Sequence, residues 1–326
     1  MFKFFGKSYH VQYVALFLLG LILWSPAFYG CDIHNVSTIY NGSFAELINI
    51  FTSGLSPLIK TSIAYVIVFL LGILINRQAT RHGIIEKNSL LVMLLFVVLS
   101  SIFPFNMRLG AQTVAGFLSF FLIAGLFRHD QEVGNIILSF DTGIIAGLIG
   151  LIYYPFFLLF IFLWFSLKII GGVSIRNIMA STLGIVTPLT GEYLFYYFSG
   201  KENDYLEKLI NVFQLSPVFS QLDSTESMFF VVVAFAFGII GLFAVKNPAK
   251  LAIKQRKFLS ILGLYDVLLV TLLLIFFDKT MIFISFPAVA IILGNVFGTI
   301  AGSKRLNILF FIVLLLILVN NWINCF

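Results

Sequence analysis

Long apolar runs separated by short polar segments fill the chain from residue 12 to residue 323. A helix needs about 20 apolar residues, in a range of roughly 17–25, to cross a bilayer. Eleven stretches are predicted as membrane-crossing helices: 12–29, 61–75, 89–103, 109–127, 136–152, 155–170, 177–198, 227–245, 259–277, 280–300 and 306–323. The pair 136–152 and 155–170 meets at Tyr153-Tyr154-Pro155. Proline lacks a backbone donor and turns the residue before it away from the helical region. Two short spans are therefore expected there, rather than one long kinked helix.

Two polar segments, 30–60 and 199–226, are long enough to carry structure of their own. In the first, Ser43-Phe44-Ala45-Glu46 has the spacing of a capping box, with Glu46 placed to bond back to the Ser43 amide. Phe44, Leu47, Ile48, Phe51 and Leu55 follow at helical spacing and predict an interfacial helix over 43–55. Leu206, Leu209, Ile210 and Phe213 repeat the pattern in the second segment, which Ser216-Pro217 ends.

Charge orients these elements. With the N-terminus inside, Lys60, Arg108, Lys201, Lys208 and Lys279 fall outside, and the other 15 of the 20 Lys and Arg residues fall inside. Cytoplasmic connections retain positive charge, so the prediction is N-inside and C-outside. Composition agrees. The chain has 326 residues, 60% hydrophobic and 10% charged, and a mean hydropathy of +1.06. Soluble domains carry roughly 45–50% apolar and about 25% charged residues. The expected fold class is thus all-α: a polytopic transmembrane helix bundle forming one integral membrane domain over 1–326. A soluble enzyme and a disordered chain are excluded. Cys31 and Cys325 are too few for a disulfide framework. The net charge of +6 is dispersed between apolar runs, so nucleic acid is not an expected partner. No Walker A or G-x-G-x-x-G motif is present, which excludes ATP-driven transport by this chain alone. No His/Cys cluster has metal spacing.

An ionisable side chain within hydrocarbon is costly and marks a functional position. Asp141, Glu192 and Asp266 qualify. Asp141 is placed to N-cap a helix starting at Thr142, with 136–140 in the interface. Glu192 lies about two turns from an outer helix end, within reach of lipid headgroups. Asp266 is expected to bond a neighbouring helix, to lie near the inner interface, or to relay protons. In the first outer loop, Asp32 with His34 is the catalytic candidate. It would act as a general base toward an acceptor hydroxyl, or hold a divalent cation on a lipid pyrophosphate. Lys60 and Arg108 are the outer cations closest to helix ends and are candidates to grip a lipid phosphate.

Two resemblances add to this. Asn76-Arg77, Lys87-Asn88-Ser89, Ile102-Phe103-Pro104, the run Gly147 to Pro155, Ser174-Ile175-Arg176 and Thr187-Pro188 make residues 61 to about 200 similar to a family of multi-pass inner-membrane proteins from Bacteroidetes bacteria, classed as a domain of unknown function. That resemblance implies a bacterial inner membrane and no particular activity. The chain also resembles the C-type membrane glycosyltransferases. Asp32 stands where their catalytic acid follows the first span, 43–55 resembles their interfacial helix, and Gly147-Leu148-Ile149-Gly150-Leu151 reads like a later span. Their paired acidic motif is absent, since Ile33 and His34 follow Asp32. This second resemblance implies membrane lipid and a polyprenyl-phosphate-linked sugar as partners at the outer face, with a divalent cation as the cofactor such chemistry would use. The alternatives are a non-catalytic partner of other envelope proteins, and a secondary transporter or lipid flippase.

Overall fold

The computed structural model describes residues 2–5, 10–29, 42–86, 88–132, 134–171, 174–212, 225–246, 252–276, 278–300 and 304–325. The protein is all-α, with no strand among the described residues. Its helices are α1 (Phe2–Phe5), α2 (His10–Phe28), α3 (Ser43–Ser53), α4 (Pro57–Arg81), α5 (Leu91–Ser100), α6 (Ala111–His129), α7 (Ile136–Ile152), α8 (Leu159–Ile170), α9 (Ile175–Phe198), α10 (Glu202–Val212), α11 (Thr225–Lys246), α12 (Ile253–Phe276), α13 (Phe286–Ile300) and α14 (Lys304–Cys325). Each predicted stretch overlaps one of these helices, and 136–152 is matched residue for residue. Among the described residues five helices are long and apolar enough to cross a membrane: His10–Phe28, Pro57–Arg81, Ala111–His129, Met228–Val245 and Ile253–Phe276.

Long-range contacts define two ends of the bundle. At one end the Trp24 indole donates to Ser101 Oγ at 3.0 Å, and the Asn321 amide donates to the Ser101 carbonyl at 2.8 Å. The Gly42 amide donates to the Ile152 carbonyl there, at 2.8 Å. At the other end the Leu90 amide donates to the Phe5 carbonyl at 2.8 Å. His82 sits between the rings of Phe127 and Phe258, and Asn295 donates to the Ile84 carbonyl at 2.7 Å. We call these the Tyr154 end and the His82 end. Phe5 and Asn321 therefore lie at opposite ends.

Three helices are cut short near the Tyr154 end by 3₁₀ turns: α5 before Pro104–Met107, α8 after Tyr154–Leu158, and α13 after Lys279–Ile284. Pro104 and Pro155 open two of these turns, as their fixed φ and missing donor favour. All ten residues of α5 are buried. A helix apolar on every side belongs in the interior, and α5 packs there against α4 and α13. Asn76 of α4 fixes its start, donating to the Ser89 carbonyl at 2.9 Å and accepting from the Met93 amide at 3.4 Å.

The closest helix pair is α7 and α9. A Cβ on Gly147 would stand 2.7 Å from the Ile185 carbonyl oxygen, and Cβ atoms on Gly143 and Gly184 would overlap the Ser181 and Phe140 carbonyls. Small residues at four-residue spacing let the two backbones touch.

Two local expectations are corrected. α7 starts at Ile136, where the Asn135 side chain accepts from the Ile137 and Leu138 amides. Asp141 is therefore not a cap; it lies within α7, exposed. Ser43 also does not take the N-cap role predicted for it in a capping box. Gly42 occupies the N-cap of α3, with no side-chain cap bond, because the Ser43 hydroxyl is turned toward α9 and the Tyr154 turn.

Candidate functional site

The site begins with that turn of Ser43. Gly42 brings the start of α3 against the end of α7 so closely that a Cβ would overlap the Leu151 carbonyl. Ser43 Oγ then lies 3.0 Å from Tyr196 Oη and 3.3 Å from Tyr154 Oη. Tyr154 donates to Glu192 Oε1 at 2.8 Å. Glu192 is buried, and its second oxygen, Oε2, is enclosed with no hydrogen-bond partner among the described residues. A buried acceptor left unmade costs on the order of 1–3 kcal/mol, more when charged. Tyr205 of α10 closes the cluster, its ring 5.5 Å from Tyr196 and 5.7 Å from Tyr193. Burial, with Glu192 nearby, pushes the Tyr205 hydroxyl up to about 12, so it stays neutral at neutral pH.

Beside this cluster runs a groove of about 460 Å³ between α3, α7 and α9. Phe44, Leu47, Ile50, Leu148, Leu151, Pro188 and Phe195 make its walls, and Ser43, Glu46, Thr187, Glu192 and Tyr196 supply its polar groups. An apolar trough with a few convergent polar atoms fits an amphipathic ligand. Leu47 and Ile50 of this groove wall, and Phe51 beside them on α3, are exposed.

The sequence-predicted residues are placed as follows. Asp32, His34, Cys31 and Ser216-Pro217 lie outside the described residues. Lys60 sits in the first turn of α4, partly exposed, and its ammonium makes no hydrogen bond or ion pair among the described residues. Arg108 joins the Pro104–Met107 turn to α6, and its carbonyl accepts from Gln112 and Thr113. Neither cation lines the groove. Glu192 does not reach outward as expected, because Tyr154 holds it inward. Asp266 is fully buried on α12, and neither carboxylate oxygen has a hydrogen-bond partner among the described residues. The expected bond to a neighbouring helix fails because α11 presents Gly241 there; a Cβ on that glycine would stand 2.9 Å from Asp266 Oδ2.

Sequence reasoning missed a second polar network. Tyr153 Oη lies 2.9 Å from Thr280 Oγ1, which donates to Asp278 Oδ1 at 2.8 Å. The Thr280 amide donates to the same oxygen at 2.9 Å. Burial raises Asp278 to about 6, against the pull of the Thr280 bonds. In sequence Tyr153 and Tyr154 mark only a turn before Pro155; nothing local announces their partners 127 and 38 residues away. Among the described residues no three His, Cys, Asp or Glu side chains gather as metal ligands. Glu46 and Glu192 alone do not make a cation cage. No protein-family model matches the chain, and no curated protein or solved structure shows significant similarity to it.

Proposed function

We propose that the chain is a multi-pass protein of a bacterial inner membrane that holds a lipid-linked sugar at the outer face, on a scaffold similar to the C-type glycosyltransferases. It crosses eleven times, N-inside and C-outside. The five long apolar helices, the opposed positions of Phe5 and Asn321, and the bias of Lys and Arg support this topology. The Tyr154 end is then the outer one. The observation that carries the functional reading is the apolar groove ending at the enclosed, unpartnered Glu192 Oε2.

The polyprenyl chain lies along Leu148, Leu151 and Phe195. A sugar hydroxyl donates to Glu192 Oε2, and the Tyr196 ring flanks the sugar face. Leu47, Ile50 and Phe51 seat α3 in the outer leaflet. Asp32 takes the proton of an acceptor hydroxyl as its oxygen bonds to the anomeric carbon; the carbon–oxygen bond to the carrier breaks, and the lipid phosphate leaves. Lys60 and Arg108 remain candidates to hold that phosphate.

The test is complementation of a deletion strain, scored on envelope glycan, together with carrier binding by the purified chain. Glu192→Gln keeps shape but weakens acceptance of a donor, so binding and glycan both fall. Asp32→Asn cannot take a proton, so glycan falls while binding persists. Full complementation by both variants would sink the enzymatic reading and leave a non-catalytic assembly partner. One observation favours a second reading: Asp266, buried without a partner, suits proton relay in a transporter. A deletion defect rescued by Asp32→Asn but not by Asp266→Asn would favour it.

A further inference from the structure

The opposite end of the bundle presents a second site, independent of the outer groove. We infer that Arg77, Arg81 and Arg128 form a phosphate-binding site in the hollow between α4, α6 and α7.

Arg77 and Arg81 are one helical turn apart near the end of α4, so they share a face. Arg128 ends α6. Arg81 and Arg128 line one cavity of about 240 Å³ together with Gln78 and Gln131. A shallower hollow of about 550 Å³ continues past Gln78 and Arg81 to Arg77. All three arginines are exposed, and their guanidinium groups make no hydrogen bond or ion pair among the described residues.

That vacancy is built by the neighbouring charges. Asp130, two residues from Arg128, is drawn instead to α12, where Lys254 stands 3.5 Å and Lys257 3.8 Å from its oxygens. Asp141 is the one carboxylate lining the cavity. Three guanidinium groups against one carboxylate leave a formal charge of +2 (3 − 1). Amides from Gln78 and Gln131 add donors.

Scattered helix-end cations are normally just hydrated. Here Arg81 and Arg128 line one open hollow whose other walls include the apolar side chains Phe121, Ala124 and Ile145. A guanidinium presents paired donors matched to phosphate oxygens. The shared chemistry is thus a phosphate group, borne either by a phospholipid headgroup lying along the apolar walls or by a free phosphate.

The test is native mass spectrometry of the delipidated full chain in detergent, titrated with phosphatidylglycerol and separately with inorganic phosphate. The variants are Arg81→Ala with Arg128→Ala, the matching double Lys variant, the single Arg128→Gln variant, and Arg176→Ala as an exposed control outside the hollow. Losing charge-assisted bonds lowers affinity by about tenfold or more in the double Ala variant. The Lys pair is intermediate, and Arg176→Ala is unchanged. Phosphatidylglycerol binding that millimolar phosphate does not displace identifies the headgroup; binding of phosphate itself identifies the free anion. Arg128→Gln gives the readout if the double Ala variant fails to fold. Equal occupancy in wild type and Arg128→Gln, an equal loss in Arg176→Ala, or no binding of either probe to wild type overturns the inference.

Discussion

At Glu192 a carboxylate about two turns from a helix end is folded inward by one tyrosine hydroxyl, and two further ionisable groups, Asp278 and His82, are buried as well. These last two set opposed pH responses. Asp278, in the connection between α12 and α13, is raised by burial from 3.8 to about 6. The folded state then holds its proton more tightly than the unfolded state. Its stabilisation is complete below about pH 4 and is lost as pH rises through 6. His82 is lowered from 6.5 to about 4, by burial first and then by Lys254 and Arg81. Its contribution is present above pH 6.5 and is lost as pH falls toward 4. The two slopes oppose each other in one window. Asp278→Asn keeps the acceptor for Thr280 and removes its slope, so the melting temperature should climb more, or fall less, from pH 4 to 6.5 than in wild type. His82→Gln removes the opposing slope, so the melting temperature should climb less, or fall more, from pH 4 to 6 than in wild type. A shift of about two units corresponds to roughly 3 kcal/mol at full effect. Scanning fluorimetry of the detergent-solubilised chain reads this; parallel curves for wild type and both variants would contradict it. Sequence flagged Asp141, Glu192 and Asp266 by depth alone. It passed over Asp278, because burial by a distant Tyr153 leaves no local trace.

At the level of elements, the helices were legible because bilayer-length apolar runs have few alternative uses. Their ends were less so. Ser43 matched a local cap, but its hydroxyl bonds Tyr154, 111 residues on, and a glycine took the cap because the backbones touch. Asp141 was read as a cap, but Asn135 holds the start of α7 six residues earlier. The break at Tyr153-Tyr154-Pro155 was readable, since proline acts through its own covalent geometry. Two predictions belong here. Gly42→Ala forces a methyl against the Leu151 carbonyl; overpacking of this kind costs about 1–3 kcal/mol, read as a lower melting temperature with helicity retained. Phe51→Asp puts a charge on the exposed face of α3. It should reduce quenching by brominated lipids of a bimane placed at Ile50, without reducing the amount of protein inserted. Unchanged quenching would place this face away from lipid.

For the whole molecule, the proposed topology puts Cys325 outside. In a Cys31→Ser background, an impermeant maleimide should label intact spheroplasts as fully as lysed ones. Labelling that appears only after lysis would mean an even number of crossings. The groove itself was only half legible. Its α3 wall and the α7 and α9 stretches were each noticed, but nothing along the chain says that residues 43, 154 and 192 meet. The site that results is an apolar trough with one enclosed carboxylate, and its proposed occupant is the central claim. Photo-crosslinking with a diazirine-bearing polyprenyl-phosphate sugar, mapped by peptide mass spectrometry, tests that claim most directly. The account predicts label on Leu148–Leu151 of α7 and Pro188–Phe195 of α9, competed away by unlabelled carrier and reduced in Glu192→Gln. Label spread over exposed apolar helices such as α11 and α14, and insensitive to competitor, would contradict it.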